Sequence, residues 1–250
     1  MIADQVRALC HQMRLFGFHE ACERRAEEAL SGQLHPLEFL RLLLEHELLS
    51  RKDRVAKRLI TRAKFRSPVD LEDWDQSFER GLTKAKLKEL AGLGFYHHRE
   101  NLLLVGKTGT GKTHLAMALG RRLCLEGIAT RFLPLNLLFE QLRAEKAAGR
   151  YLNHLANLTR APVLLLDDLG LRTYTHEEAT QLVDLLEERY QKGSVLVTSQ
   201  VDPKGWRSLF EDPVIGEAIV DRLTHPAQTI VLRGSSYRPK LPRPKKGQPS

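Results

Sequence analysis

Gly106-Lys107-Thr108-Gly109-Thr110-Gly111-Lys112-Thr113 sets two glycines, a lysine and a hydroxyl in the order G-x-x-x-x-G-K-T. Residue types at this spacing suit a phosphate cradle. Glycine lets backbone N–H groups converge on phosphate oxygens where a Cβ would block them. Lys112 is expected to reach the β- and γ-phosphates of a nucleotide, and the Thr113 hydroxyl to ligate its Mg²⁺. His114 follows in the first turn of a helix whose N-terminus adds positive partial charge. A chance glycine-rich turn is the rival reading. The flanks argue against it: Asn101–Val105 is a short apolar run that reads as a buried strand, and His114–Leu123 reads as a helix.

A second apolar run, Val163–Leu166, ends in Asp167 and Asp168, 55 residues after Lys112. That distance leaves room for one helix and one strand. Asp167 is expected to hold the cation through its water shell, and Asp168 to orient or deprotonate an attacking water. Glu is the common alternative at the second position. Asp is one methylene shorter, so the water must sit closer or hydrolysis run slower. A plain strand-end turn is the competing explanation. Further on, Ser194–Ser199 reads as a strand that ends beside Gln200. Its amide is expected near the γ-phosphate, with Ser199 as the weaker choice. Arg222, at the end of an amphipathic helix, reads as a surface charge or as an arginine finger supplied across a subunit interface. The ordered series Lys112, Asp167, Gln200, Arg222 favours the finger.

These residues need a frame. From Asn101 on, strand candidates at 101–105, 129–133, 162–167, 194–199 and 228–232 alternate with helices at about 112–126, 135–147, 150–159, 176–191 and 213–224. Such alternation predicts an α/β fold with a parallel sheet covered on both faces. The N-terminal part reads as all-α. A helix breaks at Gly17, a second stretch ends at Ser31-Gly32, and a third opens at His35-Pro36 with an apolar stripe of Leu37, Leu40, Leu44, Leu48 and Leu49. The expected organisation is a helical domain over 1–67, a linker over 68–95, the nucleotide-binding domain over 96–238 and a flexible basic tail over 239–250. Trp74, inside the linker, reads as a core anchor rather than a partner contact.

The third helix runs into a basic segment. Residues 41–66 hold nine Lys/Arg against Glu45, Glu47 and Asp53, a net +6. Arg51, Lys52, Arg54, Lys57, Arg58 and Arg62 are the candidates for phosphate-backbone contact. A solvated helix face also fits, but acidic i,i+4 partners are scarce. The whole chain of 250 residues carries +8 with 42% hydrophobic and 28% charged residues, an ordinary globular composition whose basic balance raises the case for nucleic acid. Cys10, Cys22 and Cys124 form neither a C-x-x-C pair nor a disulfide framework. Without a signal-peptide core or a run of about 20 apolar residues, a cytoplasmic protein with no membrane partner is expected.

Taken together, Asn101–Gly106, Gly111–Ala116, Leu165–Gly170, Glu188-Arg189-Tyr190, Thr198-Ser199-Gln200 with Trp206, Asp221–His225 and Gly234–Arg238 resemble the AAA+ ATPases of the IstB/DnaC group, closest to IstB. So does Glu38-Phe39-Leu40 with Glu45, Glu47 and Arg51. Two positions depart: Gln200 stands where Asn is usual, and Ser235 replaces Glu in the C-terminal motif. The resemblance implies an ATP·Mg²⁺-dependent ATPase that forms a ring or spiral on double-stranded DNA, deforms target DNA, and recruits and stimulates a transposase. It implies no C-terminal lid, and a two-helix insertion after the second strand, fitted by Leu135–Thr159 broken at Gly149. Arg143, Lys146, Arg150 and also Arg172 are then further DNA candidates, unless Glu140 and Glu145 neutralise them. The alternative is a DnaC-like replicative helicase loader, in which the N-terminal domain would grip a helicase. A small-molecule kinase would leave Arg222 and the N-terminal domain without a role.

Overall fold

A computed structural model describes residues 2–190 and 192–237. The expected tail over 239–250, like Arg238, lies outside them. The chain divides into two compact units, Met1–Leu59 and Ile60–Ser250.

The first unit contains α1 (Ile2–Gln12), α2 (Phe16–Ser31) and most of α3 (Pro36–Ala63). The break between the first two helices falls at residues 13–15, where Arg14 is left-handed (φ 56°), and not at Gly17. Gly17 instead marks a close approach: a Cβ there would come within 2.5 Å of the Ser50 Cβ. Glu47, almost fully buried, accepts the Phe18 N–H at 3.0 Å at the start of α2 and is clasped by Arg51 at 2.6 Å. Burial works against its charge, but the bonds from Arg51 and from the Phe18 and Gly17 N–H groups outweigh it and hold the carboxyl below its usual range. The leucine stripe is a correction. Leu37 and Leu48 are 70% and 61% exposed, and Leu40, Leu44 and Leu49 are also exposed. Leu43 and Glu47 face inward instead. Helical period alone cannot say which of two leucine-rich faces packs.

In the second unit, α3 ends at Ala63, Lys64 turns left-handed, and Ser67-Pro68 prevents continuation. Then come α4 (Lys84–Ala91), α5 (Gly94–His97), β1 (Asn101–Gly106), α6 (Lys112–Leu125), β2 (Thr130–Pro134), α7 (Leu135–Ala147), α8 (Tyr151–Thr159), β3 (Val163–Leu169), α9 (His176–Arg189), β4 (Ser194–Ser199), α10 (Pro213–Thr224) and β5 (Ala227–Leu232). All strand pairs are parallel, in the order β2-β3-β4-β1-β5. The sheet therefore has the five strands and flanking helices expected, and the two-helix insertion is present as α7 and α8.

Strand alternation sends side chains to two cores. Leu103, Val105, Leu164, Leu166 and Val197 pack with Phe139, Leu182, Leu185 and Ile219 on one face. Leu102, Leu104, Leu165 and Leu196 pack with Leu115, Leu119 and Leu123 on the other. The segment read as a linker joins this second core through Val69, Leu71, Trp74, Leu87, Leu90, Leu93 and Phe95. Burying seven apolar side chains makes 69–95 part of the unit's body, at about 1.5–3 kcal/mol per large side chain.

Candidate functional site

The glycine loop joins the end of β1 to α6, and Gly111 is the N-cap residue of that helix. Gly109 is left-handed (φ 82°), and a Cβ on it would strike the Ser236 hydroxyl at 2.1 Å. The loop is braced from within: the Thr110 hydroxyl and the Lys112 ammonium both donate to the Lys107 carbonyl at 2.9 Å. A Gly106 Cβ would lie 2.2 Å from the Leu232 carbonyl oxygen, so β5 fits directly under the loop's first residue.

Parallel pairing brings the other candidates to the same sheet end. A register shift between Leu166 and Leu169 lets β3 bulge where its two aspartates stand. Asp167 is buried, and its Oδ1 accepts from Thr113 at 2.8 Å and from Thr198 at 2.7 Å. Thr198 also accepts the Asp168 N–H at 2.9 Å, which fixes Asp168 in a left-handed conformation (φ 68°) rare for a residue with a side chain. Burial, with the Asp168 charge beside it, raises the Asp167 carboxyl above its usual range despite the two hydroxyl donors. Its Oδ2 is buried and has no hydrogen-bond partner. An orphaned carboxylate oxygen next to a threonine hydroxyl suits a hydrated divalent cation shared with phosphate. No cluster of three His, Cys, Asp or Glu exists among the described residues that would hold a metal alone.

A cavity of about 580 Å³ opens over the loop, lined by Thr108, Gly109, Gly111, Lys112, Thr113, His114, Asp168 and Gln200. The Thr108 hydroxyl meets the Gln200 amide oxygen at 2.6 Å, so Gln200 reaches the loop. Ser199 does not: it is buried and its hydroxyl is committed to Leu169, Val201 and Trp206. Asp73, Asp75, Arg80 and Tyr237 complete the lining and were missed in the sequence. Arg80 is nearly buried, stacked 3.5 Å from the Trp74 ring centroid and 4.7 Å from that of Tyr237. Tyr237 donates its N–H to the Gly109 carbonyl and its hydroxyl to Asp75. The only signal in the sequence was the short Gly234–Tyr237 motif, to which no side-chain role was attached.

Arg222 is not brought to this cavity. Asn101, the first residue of β1, donates to the Arg222 and Leu223 carbonyls at 2.9 and 3.1 Å. The glycine loop leaves from the other end of that strand, about 17 Å away at ~3.3 Å per residue. The Arg222 guanidinium pairs with Glu187 at 2.6 Å. Among the DNA candidates, Arg51 and Arg54 share Glu47, at 2.6 and 3.3 Å. Lys52, Arg58 and Arg62 are exposed with no ion-pair partner among the described residues; Lys57 is exposed too. The later group is paired: Arg143 with Glu178 at 3.6 Å, Lys146 with Glu177 at 2.8 Å, Arg150 with Glu145 at 2.8 Å and Arg172 with Glu178 at 2.7 Å. Glu177 and Glu178 were not foreseen as partners because they come from α9. No described helix is long and apolar enough to cross a membrane.

The family of IstB-like ATP binding proteins matches residues 8–244. The ATP-binding protein of insertion sequence IS21 from Pseudomonas aeruginosa is 34% identical over 239 residues, covering 96% of this chain and 90% of that protein. Among solved structures, DnaI superimposes with a TM-score of 0.57 at 21% identity over 72% of this chain and 98% of that one. The DnaC helicase loader gives 0.55 at 22% identity over 66% and 97%. These two likenesses concern the fold alone, an α/β core with a five-stranded parallel sheet. The chain belongs to the family of IstB-like ATP binding proteins.

Proposed function

We propose that this chain is an ATPase of DNA transposition that assembles on duplex DNA and recruits a transposase. The observation that carries the reading is the convergence of Lys112, Thr113, Asp167, Asp168 and Gln200 at one sheet end while Arg222 stands at the other. In this reading ATP lies over the glycine loop, and Lys112 exchanges the Lys107 carbonyl for phosphate oxygens. Thr113 and Asp167 would hold Mg²⁺, which would neutralise charge on the phosphates. Asp168 orients the attacking water, and the Gln200 amide holds the γ-phosphate side. Arg222 releases Glu187 and completes a neighbouring subunit's site, so hydrolysis requires a homo-oligomer. Lys52, Arg58 and Arg62, with the neighbouring basic residues of α3, contact the DNA backbone without reading sequence. The insertion-sequence association of the IS21 relative supports a transposase rather than a helicase as the partner.

The test uses the full chain with duplex DNA, followed by negative-stain imaging and phosphate release. Lys112→Ala is expected to abolish ATP-dependent assembly. Arg222→Ala is expected to keep ATP binding and lose hydrolysis by about 10³-fold. ATP-independent complexes, or normal turnover by Arg222→Ala, would contradict the proposal.

A further inference from the structure

A cation from outside the loop and the strands approaches Asp167 Oδ2. After α3, Phe65 is wedged on α6, where a Cβ on Gly120 would come within 2.9 Å of its ring. The same ring lies 6.3 Å from that of Phe132 on β2. These contacts fix the chain just before Arg66. The Arg66 guanidinium then lies over the Phe132 ring at 5.5 Å and reaches to 3.6 Å from Asp167 Oδ2. Asp167 is fully buried while Arg66 is half exposed, so one partner is fixed and the other is free to withdraw. Oδ1 is already saturated by Thr113 and Thr198. Oδ2 is therefore where any further cation must act, and Arg66 stands beside it.

We infer that Arg66 is the counter-ion of Asp167 in the metal-free site and competes with hydrated Mg²⁺ for the same oxygen. This rests on the reading of the cavity as a nucleotide–magnesium site. Two positive groups at one carboxylate oxygen repel each other, so each weakens the binding of the other by the same factor. With the metal absent, Arg66 offsets the Asp167 charge that an incoming triphosphate would meet. With the metal present, Arg66 must swing towards solvent, which its exposure allows. Arg66 is thus a positioning residue that sets how strongly nucleotide binding depends on magnesium.

The experiment measures the dissociation constant of N-methylanthraniloyl-ATP by fluorescence, in EDTA and in Mg²⁺, with no turnover readout. In Arg66→Gln the metal-free affinity is expected to fall and the magnesium-supported affinity to hold or rise. The ratio of the two constants should then widen by about fivefold, the scale of a partly exposed ion pair. Arg66→Lys, which keeps the charge, should stay near the wild-type ratio. An unchanged ratio in Arg66→Gln, with wild-type binding intact, would overturn the role of Arg66 alone. Absence of binding by the wild type in both buffers would overturn the nucleotide reading and this inference with it.

Discussion

At the starts of β3 and β4, the buried Arg189 side chain donates to the carbonyls of Ala161 at 2.6 Å, Pro162 at 2.9 Å and Ser194 at 3.1 Å, with Thr159 at 3.3 Å. At the far ends of the same strands, Asp167 keeps a buried oxygen with no hydrogen-bond donor and Asp168 holds a costly backbone conformation. One end uses an arginine to satisfy backbone carbonyls, although Arg189 Nε and Ser194 Oγ lack partners there; the other leaves a carboxylate oxygen open. What sets the loop end apart is the combination of a buried carboxylate oxygen without a donor and a strained backbone beside it, which suits a ligand that supplies the missing partner. Arg222 breaks the pattern at the closed end. It is half-buried, donates to the Ala218 carbonyl at 3.1 Å and pairs with one acid, Glu187, at 2.6 Å.

Arg189 offers the harshest test of the contrast. Burial pushes its guanidinium down to about 10, so it remains charged at neutral pH. Arg189→Met would take a donor from four carbonyls, one of which, that of Pro162, also accepts the Ser194 N–H, and is expected to cost about 3 kcal/mol in chemical denaturation, while nucleotide affinity in the folded fraction is kept. A loss below about 1 kcal/mol would mean that the carbonyls find other partners and that the closed end is less closed than described. A smaller effect separates paired from unpaired surface cations. Arg58→Ala is expected to weaken duplex DNA binding about threefold and to lower the salt slope by about one. Lys146→Ala should do less, because Lys146 already spends its charge on Glu177. Equal effects in a salt titration would remove the distinction.

How much of this could be read in the residues differs by element. The sheet and its helices were legible because strand-length apolar runs such as Leu102–Val105 and Val163–Leu166 alternate with helical stretches. Lys112, Thr113 and Asp167 were legible because phosphate chemistry fixes both residue type and spacing. Thr198 as a donor to Asp167 was not, since a strand threonine has no signature and its role arises from the β3–β4 register. Arg80 and Tyr237 lie far apart in the chain and meet only through the fold. The ion pairs of Arg143 and Lys146 depend on α9, which no i,i+4 rule within α7 can supply. The exposed leucines of α3 show the limit of periodicity, which finds a stripe without saying what covers it.

The central claim is that one catalytic site is built from two ends of two sheets, in different chains. Mixing Asp168→Ala with Arg222→Ala tests it directly, with phosphate release measured in the presence of duplex DNA. Each variant alone is expected to be inactive. In an equal mixture, Asp168→Ala subunits supply Arg222 to neighbours that retain Asp168, so about a quarter of the wild-type rate should return if one interface in four pairs both intact halves. A mixture as inactive as its components, while the two variants still co-assemble, would contradict the shared site.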